Sequence, residues 1–117
     1  MGENRIKLVA ADMDGTLLNR ERKITKYTQN VIKKAMAQGV YFVPATGRAV
    51  NALPPELKEM EGIRYGIFSN GATIYDLKEE KVIYKNHFEM DRVLELMDFL
   101  KQFDLMESIS LNGQSYA

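Results

Sequence analysis

Three short apolar segments, each followed by polar residues, constrain the fold of this chain most strongly. They are residues 6–11 (IKLVAA), 40–46 (VYFVPAT) and 64–70 (RYGIFSN). Runs of this length and composition are typical of buried strands in a parallel sheet. Helical patterns separate them. The order strand, helix, strand, helix, strand therefore predicts right-handed crossovers and an α/β fold with a partial Rossmann-like parallel sheet.

The segments between these strands carry helix signals. Thr25 can cap a helix with apolar residues at helical spacing, and Gly39 supplies its C-terminal end. A second helix is predicted from about residue 48 to residue 60, where Pro54 and Pro55 must break or restart it. Residues 13–24 are rich in Gly, Asn, Arg and Lys, which favours a loop or small flap.

The pattern changes after Gly71. Residues 72–85 predict a β-hairpin, a helix can begin at Asp91, and residues 106–117 form a last extended piece. This order is typical of a separate α+β unit. We therefore expect two domains, with residues 1–71 in the first and residues 72–117 in the second.

Composition restricts the partners of the chain. Its 117 residues include 16 basic and 16 acidic side chains, so the formal net charge is zero. Nucleic acids and anionic membranes usually require a clustered positive surface, and neither is expected as a partner. The chain has no cysteine, which excludes disulfides and thiolate metal sites. No run approaches the roughly 18 apolar residues of a membrane-spanning helix, and we expect a cytoplasmic protein.

The polar clusters at the three strand ends form the candidate site. Ligands bind beyond the carboxyl ends of parallel strands, so residues 12–16, 46–48 and 69–71 are expected to converge. Asp12 and Asp14 suit a hard cation with oxygen ligands, and Mg²⁺ is the expected one. Asp12 could also be a nucleophile that forms an acyl phosphate. The neighbouring charge would disfavour ionisation of Asp14, which could then act as an acid and afterwards as a base.

The second and third clusters are less specific. Thr46 and Gly47 could donate a hydroxyl and an amide to a phosphate oxygen. Plainer alternatives remain open at each position: two aspartates after a strand can cap a loop or bind a structural cation, and Thr-Gly and Asn-Gly are common in turns. The appearance of all three clusters in order at strand ends is what favours an active site.

Three motifs carry a resemblance to a known family. DMDGTLL at 12–18, ATGR at 45–48 and SNGA at 69–72 resemble haloacid dehalogenase-like (HAD) hydrolases, in particular the Cof-type phosphatases. The resemblance implies that residues 1–71 belong to the core domain and residues 72–117 begin an α+β cap domain. It further implies the following roles: Asp12 as aspartyl nucleophile and metal ligand, Asp14 as acid/base with its backbone carbonyl on the metal, Thr46 and Gly47 as phosphoryl-binding residues, and Arg48 and Asn70 as neighbours of the site.

The resemblance covers only part of such an enzyme. Family members return from the cap to the core with a phosphate-binding lysine and an acidic motif, and the 117 residues contain no matching segment. We expect the intact protein to be a Mg²⁺-dependent phosphatase of a small phosphorylated metabolite, such as a sugar phosphate, that works through an aspartyl phosphate. This chain alone is expected to be inactive.

Two other functions stay open. One is phosphomutase-type phosphoryl transfer, and the other is a non-catalytic fragment that binds a partner chain. The first strand is central in the family's sheet, whereas here it would be an open apolar edge. Such an edge exposes unpaired backbone groups, through which the chain could self-associate.

Overall fold

The computed structural model describes residues 5–111 and 114–116. Its main feature is a five-stranded sheet in which the spatial order of the strands follows the chain. The strands are β1 (Leu8–Asp12), β2 (Tyr41–Ala45), β3 (Tyr65–Phe68), β4 (Thr73–Asp76) and β5 (Lys81–Lys85). The first three are parallel, and β4 and β5 are each antiparallel to the preceding strand. The predicted α/β class is confirmed.

Helix α1 (Lys26–Ala37) connects β1 to β2. The Thr25 hydroxyl accepts a hydrogen bond from the Thr28 N–H at 3.2 Å, as a capping residue does. Gly39 follows the helix at φ +88°, a left-handed conformation that glycine adopts at little cost. Both predicted ends of this helix are confirmed.

The connection from β2 to β3 is less regular than predicted. In place of a helix over residues 48–60, it contains one 3₁₀ turn (Val50–Ala52) and the short helix α2 (Pro55–Lys58). Pro54 has an extended ψ of 142°, because a residue before proline is disfavoured in the helical region. Pro55 takes the first turn of α2, where its missing N–H costs nothing.

The core lies against the face of the sheet that carries Phe42 and Phe68. These two side chains share a face because Ala45 pairs with Ile67 and alternate residues of a strand point to the same side. The loop after β1, α1 and the connection from β2 to β3 cover this face. The buried members of the core are Met13, Leu18, Ile24, Ile32, Phe42, Leu53, Leu57, Met60, Ile63 and Phe68.

Strand β1 lies at one edge of the sheet and pairs with β2 from Leu8/Tyr41 to Asp12/Ala45. Its apolar side chains are largely in solvent: Leu8 is 54% exposed and Val9 is 38% exposed. The expected edge position of this strand is confirmed for the residues that the structure describes. The expected self-association through it stays a prediction.

The β4–β5 hairpin forms as predicted, and it continues the sheet of the first three strands. Strand β4 pairs with β3 from Tyr65/Asp76 to Phe68/Thr73, so the hairpin extends the sheet of the first three strands. The predicted domain division, with residues 1–71 in the first unit and residues 72–117 in the second, stays a prediction. The backbone ladder continues from β3 because residues 69–72 make a tight turn that returns the chain beside it.

The remaining residues form helix α3 (Met90–Leu100) and a separate two-stranded sheet of β6 (Ile109–Leu111) and β7 (Gln114–Tyr116). Helix α3 contains no buried residue. The division between a core and this second unit stays a prediction. Within residues 5–111 and 114–116, no helix combines the length and the apolar character that crossing a membrane requires.

Candidate active site

The chain leaves β1 in a tight turn that presents two carboxylates. Residues Met13–Leu17 form the turn, and the Leu18 N–H donates to the Met13 carbonyl at 2.9 Å. Gly15 has φ +78°, which residues with a Cβ adopt only at a cost. Met13 is fully buried and anchors the turn in the core, whereas Asp12 and Asp14 on either side of it are exposed.

Asp12 is the last residue of β1 and lies beside Ala45, the last residue of β2. The Thr16 hydroxyl donates a hydrogen bond to Asp12 Oδ2 at 3.2 Å. This contact occupies one carboxylate oxygen of Asp12, and it helps to orient the Asp12 side chain at the carboxyl edge of the sheet.

Asp14 is held by Arg48 in a bidentate ion pair. Arg48 donates from Nε to Asp14 Oδ2 at 2.9 Å and from Nη2 to Asp14 Oδ1 at 2.6 Å. Its Nη1 donates to the Ala52 carbonyl at 3.0 Å. The guanidinium is therefore fixed at three points between the β1 turn and the 3₁₀ turn after β2, and paired forks of this kind are both strong and directional.

The ion pair sets the ionisation of Asp14. The hydrogen bond from Arg48 lowers the pKa of Asp14, and the charges of Arg48 and Arg22 act in the same direction. The prediction that the Asp12 charge would disfavour ionisation of Asp14 is therefore wrong for this arrangement. The sequence places Asp12 two residues from Asp14, but only the fold brings the Arg48 guanidinium into direct contact with the Asp14 carboxylate.

The ends of β2 and β3 are joined by short backbone contacts. The Thr46 N–H donates to the Ile67 carbonyl at 2.9 Å, and the Asn70 N–H donates to the Thr46 carbonyl at 3.1 Å. The Ser69 N–H donates to the Arg48 carbonyl at 2.9 Å. The buried Thr46 hydroxyl accepts from the Arg48 N–H at 3.0 Å, which leaves its own hydrogen available to donate.

Gly47 leaves room for the Asn70 side chain. A Cβ at position 47 would lie 2.8 Å from Asn70 Oδ1, so a larger residue would displace the Asn70 side chain from its present position. Ser69 and Asn70 have φ of +51° and +57°, and such left-handed backbone in non-glycine residues persists where neighbouring structure holds it. Strain of this kind concentrates at ligand sites.

All six candidate site residues lie along the carboxyl edge of the parallel strands, as expected. They are Asp12, Asp14, Thr46, Gly47, Arg48 and Asn70. The structure adds a direct contact for Arg48 that the sequence did not specify. The catalytic and binding roles of these residues stay predictions.

Asp12 and Asp14 are the residues that could hold a divalent cation. Across the described ranges, no group of three or more His, Cys, Asp and Glu side chains is placed to bind a metal. Mg²⁺ retains several waters and often takes only one or two carboxylates. The donor chemistry therefore fits, with a carboxylate oxygen from Asp12 and a backbone carbonyl from Asp14, while the Asp14 carboxylate is occupied by Arg48.

A cavity of about 830 Å³ opens beside Asp14. Arg20, Arg22 and Arg48 line it together with the β1 turn. From the sequence, Arg20 and Arg22 are predicted only to lie in a loop, because basic residues in a short polar segment usually indicate solvent exposure. The stretch NRER at 19–22 holds the only local signal, and it is not specific to a site.

Comparison with known proteins supports the resemblance that the motifs indicate. A family model described as haloacid dehalogenase-like hydrolase matches residues 9–117. A protein of Buchnera aphidicola named "Putative phosphatase" is 39% identical over 113 residues, which cover 94% of this chain and 40% of the relative. The chain thus spans about 40% of the length of that relative.

Solved structures of HAD-superfamily phosphatases are also similar to this chain. The HAD-superfamily phosphatase BT1666 from Bacteroides thetaiotaomicron has a TM-score of 0.76 at 29% identity, and the match covers 97% of this chain and 42% of that protein. The HAD subclass IIB sugar phosphatase BT4131 has a TM-score of 0.67 at 33% identity, and the match covers 82% of this chain and 37% of that protein.

Proposed function

This chain belongs to the haloacid dehalogenase-like hydrolase family, and we propose that the whole protein is a Mg²⁺-dependent phosphatase of a small phosphorylated metabolite, such as a sugar phosphate. The observation that carries the proposal is the convergence of Asp12 and Asp14 with the polar residues at the ends of β2 and β3. The similarity to a sugar phosphatase supports the substrate class. A cytoplasmic location, expected from the sequence, is also part of the proposal.

Asp12 is the proposed nucleophile. One of its carboxylate oxygens attacks the phosphorus of the ester, the bond from phosphorus to the leaving oxygen breaks, and that oxygen takes a proton from Asp14. In the second step, water attacks the phosphorus of the Asp12 acyl phosphate and gives a proton to the Asp14 carboxylate. The bond between phosphorus and the Asp12 oxygen breaks, which restores both aspartates and releases inorganic phosphate.

Thr46 and Gly47 are the proposed donors to the transferring phosphoryl group. The Thr46 hydroxyl accepts from the Arg48 N–H and can direct its own hydrogen to a phosphate oxygen. The absence of a side chain at position 47 leaves the local backbone accessible to an anion. Bound Mg²⁺ would neutralise phosphate charge and allow the anionic nucleophile to approach.

In the proposed mechanism, the ion pair between Arg48 and Asp14 belongs to the state before the substrate binds. Asp14 must carry a proton when the leaving oxygen departs, whereas its contact with Arg48 favours the ionised form. Arg48 must therefore release Asp14 during the first step. A substrate phosphate offers the guanidinium an alternative bidentate partner.

We also propose that these 117 residues alone have little or no turnover. They span 40% of the length of the Buchnera relative, and the described residues supply two carboxylates and a few donors for the site. Preorganised donors and charges supply most of the stabilisation of a transferring phosphoryl group, and a partial set stabilises it poorly.

Phosphate release from a panel of sugar phosphates, with and without Mg²⁺, tests the main proposal in the whole protein. Asp12→Asn should abolish release because the amide is a poor nucleophile, and chelation of Mg²⁺ should do the same. Asp91→Asn, in the first turn of the exposed helix α3, is the matched control and should leave release unchanged. Unchanged release by the Asp12→Asn variant would disprove the proposal.

The open edge at β1 favours a second candidate, a non-catalytic chain that binds a partner chain. Leu8 and Val9 are exposed on a strand whose backbone is paired by β2 on one side. Sedimentation of the 117-residue chain over a range of concentrations tests this. A specific assembly supports the candidate, and a monomer at every concentration contradicts it.

A further inference from the structure

We infer that the substrate of this site carries a second anionic group, bound by Arg20 and Arg22 in the cavity beside Asp14. The inference rests on the proposed phosphatase function and specifies its substrate class. The ligand would be a phosphate monoester whose remaining part bears a carboxylate or a further phosphate.

The cavity has the size and position for the leaving group. Its volume of about 830 Å³ falls within the range of small-molecule sites, roughly 300–1,000 Å³. It lies between the β1 turn and the 3₁₀ turn after β2, with Asp14 in its wall. Asp14 is the proposed proton donor to the leaving oxygen, so the part of the substrate attached to that oxygen must lie on the Asp14 side.

Hydrogen bonds within the loop at residues 19–23 hold the backbone that carries the two arginines. Asn19 Oδ1 accepts from the N–H groups of Glu21 at 3.0 Å and Lys23 at 2.9 Å. The Arg22 N–H donates to the Asn19 carbonyl at 2.9 Å, and the Asn19 N–H donates to the Lys23 carbonyl at 2.9 Å. These bonds hold the backbone on both sides of Arg20 and at Arg22 itself.

Core contacts hold the two ends of the same loop. Leu18 is 6% exposed and Ile24 is 4% exposed, so the chain is anchored on either side of the arginines. The loop therefore presents Arg20 and Arg22 from a defined position rather than from a loose segment.

Positive charge is concentrated in the cavity although the chain as a whole is neutral. The charged groups that line it are Asp14 and the three guanidiniums of Arg20, Arg22 and Arg48. Arg48 and Asp14 compensate each other through their ion pair. Among the described residues, the lining holds no second carboxylate to compensate Arg20 and Arg22, and Glu21 between them does not line the cavity.

This charge distribution selects for an anionic leaving group. A guanidinium fork binds a carboxylate or a phosphate through two parallel hydrogen bonds, whereas a neutral polyol offers it single, weaker contacts. One charge-assisted hydrogen bond is expected to raise the affinity about tenfold or more.

Binding of three six-carbon probes to the 117-residue chain tests the inference by titration calorimetry in the presence of Mg²⁺. Glucose 6-phosphate has a neutral remainder, 6-phosphogluconate adds a carboxylate, and fructose 1,6-bisphosphate adds a phosphate. At low salt, at least one of the two doubly anionic probes should bind about tenfold more tightly than glucose 6-phosphate. The better of the two identifies the second anionic group.

The double variant Arg20→Gln/Arg22→Gln should remove this advantage and leave the affinity for glucose 6-phosphate unchanged. Arg92→Gln, with a side chain 74% exposed on α3, is the matched control and should bind like the original chain. Circular dichroism of each variant verifies that the fold is kept.

Equal affinity for the three probes, an advantage that survives in the double variant, or no binding of any probe would each overturn the inference. The phosphatase proposal is judged independently by the Asp12→Asn assay. If that assay succeeds and the doubly anionic probes gain nothing, only the substrate class is wrong.

Discussion

The two edges of the sheet differ in how they meet solvent. Strand β5 begins and ends with a lysine (Lys81 and Lys85), and its ladder with β4 is interrupted by a register shift at Ile74/Tyr75. Charged residues and bulges are the usual protection of natural edge strands. Strand β1 has no bulge, since it pairs with β2 in unbroken register, and its one charged residue is Asp12 at the end, after LVAA. Strand β5 is thus suited to an edge, and β1 has the composition of an interior strand.

Strand β2 is also apolar, and it shows that such a strand is suited to burial inside a sheet. Phe42, Val43 and Pro44 are all buried, and β2 has a neighbour on each side. Strand β1 is similarly apolar, yet Leu8 and Val9 are exposed because β1 pairs with a single strand in the described part of the chain. Composition therefore indicates which strands are suited to burial, and the arrangement of neighbours decides which ones are buried.

Two matched leucine substitutions should show the largest difference, the one between the buried core and the open edge of the sheet. Leu57 is 0% exposed in the core, and Leu57→Ala should lower the free energy of unfolding by about 2–5 kcal/mol through lost burial and a residual cavity. Leu8→Ala should cost less than about 1 kcal/mol, because more than half of that side chain is already in water. Urea unfolding of both variants measures the difference. Similar costs would mean that β1 is covered in solution.

Asp76 should stabilise the β5 side of the sheet in a pH-dependent way. Its carboxylate is buried and accepts hydrogen bonds from the Lys78 and Glu79 N–H groups and from Arg64. The hydrogen bond from Glu79 and the contact with Arg64 lower the pKa of Asp76 below its usual value of 3.8. The stabilisation is therefore fully present above the unfolded pKa, and it is lost as the pH falls through the lower pKa of the folded state.

Asp76→Asn should accordingly destabilise the chain at neutral pH, and the difference from the original chain should shrink as the solution is acidified below about pH 4. Unfolding in urea at a series of pH values measures it. Asp98→Asn, with a side chain 75% exposed on α3, is the control and should change little. A difference that stays constant with pH would contradict a role for the Asp76 charge.

A lysine on each edge should give the smallest change in stability and a clear change in association. Val9→Lys introduces into β1 the kind of charge that β5 already has, and it should reduce any concentration-dependent assembly. Ile83→Lys on β5 is the control and should leave assembly unchanged. Analytical ultracentrifugation of both variants distinguishes the edges. Equal effects would show that association, if it occurs, does not use β1.

Local signals in the sequence determined most of the elements. Helix α1 was predicted with its cap at Thr25 and its end at Gly39, and the three parallel strands were predicted to within one or two residues. Caps, turn residues and periodicity act over a few positions, so they can be recognised in the sequence before the fold is known. The shortening of the second helix was less predictable, because Pro54 and Pro55 allow either a kink or a new start.

The sequence by itself also determined which residues meet at the carboxyl edge, since the parallel order of β1, β2 and β3 brings their ends together. Only the tertiary structure decided the contacts between them. Arg48 pairs with Asp14 across 34 positions, Arg20 and Arg22 share a cavity with both, and the hairpin extends the sheet from β3. An ion pair or a strand pairing depends on the positions of two backbones in space, and neither leaves a periodic trace along the chain.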